Sequence, residues 1–297
     1  MSSFGIKRND LKWTRLNIKE NSLNDKKIAI IGGTNGLGRA IALEFISKGA
    51  EVIVVGRTFR DQGIPRLNFI QADLSEIKRV KSLVKELPAE MLDILIMTQG
   101  IFAGKQRKTN SDGIELDMAT SFLSRYVIIQ EIADRIGKNR TNSSTKPRVF
   151  VWGFPGGKRK ATLDDFNSEK NYRWAVAHIN TVVGNESLVL DSAERLPSIN
   201  FYGMNPGIIS SNIMAGVLGD RSILLKMQQT IMGMLFQSSE KYAKTITPLL
   251  VSTDIEQYTG VMFGRHGDPI HSNPTLLDKS YVKRVIEESE KLTDRTH

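Results

Sequence analysis

The chain has 297 residues, 40% hydrophobic and 25% charged, enough for a sizeable core in one large domain or two ordinary ones. It contains no cysteine, which excludes disulfides, thiolate metal sites and cysteine nucleophiles, and its four histidines (His178, His266, His271 and His297) are too scattered to suggest a metal cluster. The formal net charge of +9 favours small anionic ligands. No apolar run approaches the ~18 residues of a membrane span, and residues 1–26 lack the apolar core of a signal peptide, so a cytoplasmic protein is expected.

Residues 1–26 read as a polar N-terminal extension and residues 27–297 as one domain. In chain order, short apolar runs at residues 28–31, 52–55, 67–70, 92–97, 149–152, 201–204 and 261–263 are bounded by Gly, Asn, Pro or charge. That pattern predicts strands buried on both faces. Between them, residues 37–48 gather Ala40, Ile41, Leu43, Phe45 and Ile46 mostly on one side of a helix. Residues 75–87 open on Ser75 as an N-cap and stop before Pro88. Longer helices are predicted at 114–136 and 174–195, with two more at 240–252 and 276–292. Strands alternating with helices predict right-handed crossovers and a doubly wound parallel α/β sheet in a single domain. Residues 138–146 and 156–170 read as surface loops within it.

The most informative stretch runs from Lys27 through Gly32, Gly33, Thr34, Asn35, Gly36, Leu37, Gly38 and Arg39 to Ala40. A strand passes directly into a glycine-rich turn and then an amphipathic helix. Gly32 permits the tight turn, Gly36 lets backbone approach a ligand, and Gly38 lets the helix pack near the sheet. Amides of the first helical turn, reinforced by the helix dipole, would form an anion site. A bare glycine pattern is weak evidence, but the strand before it and the helix after it supply the confirming context for a Rossmann-type fold.

The spacing Gly-x-x-x-Gly-x-Gly resembles the short-chain dehydrogenase/reductase superfamily, and further motifs follow in that family's order. Asp73-Leu74 after the third strand matches a pair that contacts adenine. Gln99-Gly100 after the fourth matches the end of an Asn-Asn-Ala-Gly motif whose asparagines are here Met97 and Thr98. Residues 205–211, including Pro206, Gly207, Ile209 and Ser211, match the segment that holds the nicotinamide end. The resemblance covers about residues 26–265. The wording Ile-Gly-Gly-Thr and Asn-Glu-Ser-Leu-Val is nearest to the family's uncharacterised yeast oxidoreductases.

An acidic residue ending the second strand would bind a ribose 2′-hydroxyl and repel a 2′-phosphate. Here that strand ends Val54-Val55-Gly56-Arg57-Thr58, with no carboxylate until Asp61. Arg57 and Arg39 could instead bind a 2′-phosphate through charge-assisted hydrogen bonds, which favours NADP.

The catalytic pattern that the resemblance implies, an Asn, a Ser and Tyr-x-x-x-Lys, is not matched. Ser121 stands at the asparagine position, and Trp152-Gly153-Phe154 supplies no hydroxyl at the serine position. One register places Trp174 and His178 at the tyrosine and lysine; a shift of two recovers Tyr172 but leaves Val176 at the lysine. Tyr172 and His178, six residues apart, would lie about 240° apart around a helix. His178, Tyr172 and Ser121 are the catalytic candidates, His178 having the better intrinsic pKa for proton transfer near neutrality.

The expected activity is NADP(H)-dependent interconversion of a carbonyl and an alcohol on a small-molecule substrate, small or lipophilic in character. The alternative is a catalytically impaired NADP(H)-binding sensor or partner-binding protein of the same fold. Residues 208–236, rich in Met, Ile and Leu, read as a substrate-covering segment. Core packing, a homo-oligomer contact and peripheral membrane contact are its other readings. The basic runs Lys105–Lys108 and Lys158–Lys160 lack interleaved aromatics, so no nucleic acid is expected, and no metal site is predicted.

Overall fold

The computed structural model describes residues 5–20, 22–140, 144–207 and 237–295. Its centre is a sheet of eight strands: β1 (Lys27–Ile31), β2 (Glu51–Gly56), β3 (Leu67–Gln71), β4 (Ile94–Met97), β5 (Arg148–Trp152), β6 (Asn200–Met204), β7 (Val261–Phe263) and β8 (Pro269–Ile270). Their spatial order is β3-β2-β1-β4-β5-β6-β7-β8. All neighbours are parallel except β7 and β8, which pair antiparallel. The order reverses between β1 and β4, which opens a crevice at the carboxyl ends of those strands.

The helices are α1 (Gly36–Ser47), α2 (Ile77–Glu86), α3, α4 (Trp174–Arg195), α5 (Ser239–Val251) and α6 (Lys279–Thr293). Within α3, residues Leu116–Met118 and Ser124–Ile132 are α-helical and Ala119–Leu123 form a π-turn. Successive strand residues face opposite sides. Ile28 and Ile30 pack with Phe45 of α1 and Ile246 of α5, whereas Ala29 and Ile31 pack with Val80 of α2, Phe122 of α3 and Leu188 of α4. This two-sided burial is why the inner strands read as unbroken apolar runs. β3 departs from it: as the edge strand it is only partly buried.

One local expectation is corrected. Ser75 does not cap α2, because its hydroxyl and N–H both bind Asp73 Oδ1 (2.7 and 3.0 Å), and the helix begins only at Ile77. Within the N-terminal segment, Lys7 bridges antiparallel to Ile270, Leu11 is buried, and Trp13 Nε1 donates to Gly267 O at 2.7 Å.

Two buried carboxyls brace loops around the crevice. Glu186 of α4 accepts the N–H groups of Gly156 (3.1 Å) and Asn273 (2.6 Å), and Glu115 caps α3 by accepting Met118 N–H at 2.8 Å. Burial pushes each up to about 7. Between pH 4.5 and 7 the folded chain therefore retains protons that the unfolded chain has released, so stability is highest at the acid end of this window and declines toward pH 7. His266, pushed down by burial and by Arg265, acts in the opposite direction, its contribution being lost as pH falls below 6.5. Urea midpoints are expected to fall between pH 5 and pH 8, by on the order of 2–3 kcal/mol for each carboxyl. Glu186→Gln should flatten that slope; an unchanged slope would show that Glu186 does not contribute to it.

Candidate active site

β1 ends at Gly32, where φ is 82° and a Cβ would lie 2.7 Å from the Gln99 backbone nitrogen. At Gly38 a Cβ would overlap Gly32 O and Thr98 Oγ1, so the first turn of α1 lies directly against the β1 and β4 ends. Gly36 differs: its φ is 51° and no atom lies within 4 Å of where a side chain would point. The N-cap Asn35 makes no side-chain cap bond, and no acidic residue occupies the first turn. The leading amides of α1 are thus neither capped nor neutralised, and the space before them fits a pyrophosphate. Thr34 is buried against Gly56, while Leu37 is half-buried.

After β3, Leu74 is buried and Asp73 is exposed, with Oδ1 occupied by Ser75. Arg39 is engaged by Asp61, whose carboxylate accepts from Nε at 2.8 Å and from a terminal nitrogen at 2.6 Å. That fork holds Asp61 below the usual carboxylate range. The first carboxylate after β2 therefore folds back onto one of the two arginines assigned to a 2′-phosphate. Arg57 is exposed, and Arg60 donates to Asn35 Oδ1 at 3.0 Å.

From the phosphate turn a continuous set of contacts leads to the catalytic candidates. Gln99 abuts Gly32, and Gly100 lies beside Ser121. Ile101 N–H donates to Ser121 Oγ at 3.0 Å, and Ser121 Oγ donates to Asp117 Oδ1 at 2.5 Å. Asp117 Oδ2 meets His178 Nδ1 at 2.8 Å. Asp117 is buried, whereas the His178 side chain remains 21% exposed. Phe102 lies over the imidazole, ring centroids 4.2 Å apart, and meets Trp174 edge-on at 5.8 Å.

Tyr172 lies before α4, so the helical-angle comparison with His178 does not apply. Its hydroxyl donates to Gly104 O at 2.7 Å, and burial with the nearby Glu115 and Asp117 charges pushes it up to about 12. It fastens the loop after β4, and that pKa suits it poorly to proton transfer near neutrality.

Arg125 of α3 is fully buried and donates to Gln99 O, but its Nε and second terminal nitrogen have no partner. Burial pushes it down to about 9, which leaves it cationic at neutral pH. Gln99 Oε1 and Asn185 Oδ1 are also buried and unpartnered. Unmatched donors and acceptors beneath one loop suit buried water. At the end of β5, Gly153 packs on Asn185 Cβ, and Phe154 adopts φ 54° and is 38% exposed. Such a φ is rare for an aromatic residue and marks local strain beside the crevice.

Pro206 and Gly207 follow β6, with Gly207 N–H donating to Asn205 Oδ1 at 3.0 Å; Ile209, Ser211 and the rest of 208–236 lie outside the described residues. A cleft of about 620 Å³ between α1 and α5, lined in part by Arg39, Glu240 and Lys244, includes none of the catalytic candidates. Among the described residues, no helix is long and apolar enough to cross a membrane.

Sequence reasoning missed Asp117, Arg125 and Asn185. Two opposite charges inside the apolar run of α3 were the available signal for the first two.

A family model described as short chain dehydrogenase matches residues 26–142. An uncharacterized oxidoreductase of Saccharomyces cerevisiae is 44% identical over 289 residues, covering 96% of this chain and 93% of that one. The chain belongs to the short-chain dehydrogenase/reductase family of oxidoreductases. Human retinol dehydrogenase 14 is a more distant relative, 24% identical over 90% of this chain and 86% of its own. Among solved structures, an NADH-dependent reductase complexed with NAD superimposes with a TM-score of 0.59 at 17% identity, over 83% of this chain and 97% of that one. This dehydrogenase/reductase thus carries its glycine turn where the strand order reverses, and Ser121 and His178 both meet Asp117.

Proposed function

We propose that the protein is an NADP(H)-dependent oxidoreductase that interconverts a carbonyl and an alcohol on a lipophilic small molecule, with His178 transferring the proton. The observation that carries this reading is the contact path from Gly32 through Gln99, Ser121 and Asp117 to a part-exposed imidazole at the same end of the sheet.

In this reading the amides of residues 36–38 hold the pyrophosphate, Asp73 and Leu74 flank the adenine, and Gln99, Gly100, Pro206, Gly207, Ile209 and Ser211 surround the nicotinamide half. When bound, the nicotinamide supplies or receives the hydride. As the imidazolium, His178 gives a proton from Nε2 to the carbonyl oxygen during reduction, which leaves the neutral Nδ1–H ring; during oxidation that neutral ring takes the alcohol proton on Nε2. Ser121 is committed to Asp117 and acts by holding that carboxylate. Phe102, Trp174 and Phe154 provide apolar walls for the substrate, a property in keeping with a retinol dehydrogenase among the relatives.

Because Arg39 is occupied by Asp61, recognition of a 2′-phosphate falls on Arg57 and Arg60. Arg57→Ala is expected to weaken NADPH binding about tenfold and leave NADH binding nearly unchanged, as measured by fluorescence titration of both nucleotides. Equal wild-type affinity for the two would remove the NADP assignment. The function itself is tested by following nicotinamide absorbance in a panel of aromatic and aliphatic ketones and aldehydes. Turnover of apolar carbonyls with NADPH is expected. Tight NADPH binding without turnover of any compound would leave a binding protein.

A further inference from the structure

We propose that Asp117 is the positioning residue of the proton-transfer site: it holds His178 in the Nδ1–H form, so that Nε2 is the atom presented to substrate. This deepens the assignment of His178 and rests on it for its catalytic consequence, though not for its geometry.

Asp117 is 2% exposed on a helix whose neighbouring Met118, Ala119 and Phe122 belong to the hydrophobic core. An ionised carboxylate in such a place costs several kcal/mol unless hydrogen bonds compensate it. Its two oxygens are divided between two partners: Ser121 Oγ on Oδ1 at 2.5 Å and His178 Nδ1 on Oδ2 at 2.8 Å. A carboxylate only accepts, so Nδ1 must carry the hydrogen, and Nε2 bears the lone pair when the ring is neutral.

Ser121 makes this assignment specific. Its oxygen accepts Ile101 N–H at 3.0 Å, which directs its single proton toward Oδ1. The π-turn at Ala119–Leu123 contains Ser121, four residues after Asp117, and unwinding there sets the hydroxyl between the carboxylate and the loop after β4.

The charged and titratable groups around this pair come from three elements. α3 supplies Glu115, pushed up by burial, and the buried guanidinium of Arg125, which feels the Asp117 charge. The loop after β4 supplies Arg107, and the segment before α4 supplies Tyr172, whose hydroxyl is fixed on Gly104 O. Arg125 is the cation that interacts directly with Asp117, Glu115 is the neighbouring carboxyl of like charge, and Arg107 interacts with Glu115 and Tyr172.

The test is Asp117→Asn. The Oδ1 position is the nearer acceptor for Ser121 Oγ, 2.5 Å away against 3.5 Å to Ile101 O, so the amide oxygen is expected to face Ser121 and the amide NH2 to face His178. The NH2 then donates to Nδ1 and forces the neutral ring into the Nε2–H form. Imidazole ¹⁵N spectra should show Nδ1–H in the neutral ring of wild type and Nε2–H in Asp117→Asn, with and without NADPH. Turnover should fall ~10²–10⁴-fold while NADPH affinity stays within about twofold.

In the double variant Asp117→Asn/Ser121→Ala the amide is free to rotate. The Nδ1–H form should return, with about a tenfold recovery of kcat over Asp117→Asn alone. Wild type showing Nε2–H, or the same tautomer in wild type and Asp117→Asn, would overturn the proposal; the first measurement needs no variant to fold. Loss of turnover in His178→Ala with none in Asp117→Asn would refute the role of Asp117 and leave that of His178 standing. The tautomer exchange in a wild-type protein that turns nothing over would do the reverse.

Discussion

Replacing His178 by Ala is expected to lower kcat for carbonyl reduction ~10²–10⁴-fold and to leave NADPH affinity unchanged. The imidazole meets Asp117 and Phe102, whereas the nucleotide turn is built from residues 32–39 and braced by β4, so removing the ring should not disturb the turn. A loss in kcat at constant NADPH affinity would identify a group acting on the reacting atoms rather than on binding. Tyr172→Phe is the control. It removes one hydroxyl bond to Gly104 O, which should loosen the loop after β4 and cost no more than about tenfold in rate. The reverse ranking, with Tyr172→Phe the more damaging, would move the proton-transfer role from the imidazole to the phenol.

Gly38→Ala is expected to abolish nucleotide binding and to destabilise the fold. The added methyl would overlap the Gly32 carbonyl and the Thr98 hydroxyl, both fixed at the ends of β1 and β4. Neither can yield cheaply, because Gly32 N–H is bound to Val55 O at 2.9 Å and Thr98 Oγ1 to Ile31 O at 3.1 Å. α1 would have to lift away, at a cost of about 1–3 kcal/mol or more, and its leading amides would leave the pyrophosphate position. Thermal unfolding and NADPH titration together check this. A variant with wild-type Tm and wild-type affinity would show that the turn is looser than its packing indicates.

The half of the site proposed to hold the nucleotide was legible in the sequence for a local reason. A strand, a glycine turn and a helix lie within the 21 residues from Lys27 to Ser47; Gly32, Gly33 and Gly38 meet close contacts there, and Gly36 adopts a positive φ. α4 was likewise legible from Trp174 to Arg195, because apolar residues recur along its 22 residues and no proline interrupts them. The proton-transfer half was not. Asp117 and His178 are 61 residues apart in sequence, and their meeting depends on how α3 and α4 pack together. A register comparison could place His178 on a helix but could not reveal the carboxylate beside it.

Asp61 was noticed as the first acidic residue after β2, yet its return onto Arg39 depends on the path of the loop leading to β3. Ser75 failed as a cap because Asp73, two residues earlier, offers its hydroxyl and amide a nearer acceptor than the helix does. β8 is two residues long, and its pairing with β7 and with Lys7 lies beyond any pattern that hydropathy can show.

Calorimetric titration of NADPH into the purified protein tests the account most directly, because the proposed chemistry depends on a nucleotide seated on the leading amides of α1. One site per chain with a favourable binding heat is predicted, lost in Gly38→Ala and retained in His178→Ala. No heat with either NADPH or NADH, or binding that survives Gly38→Ala unchanged, would contradict it.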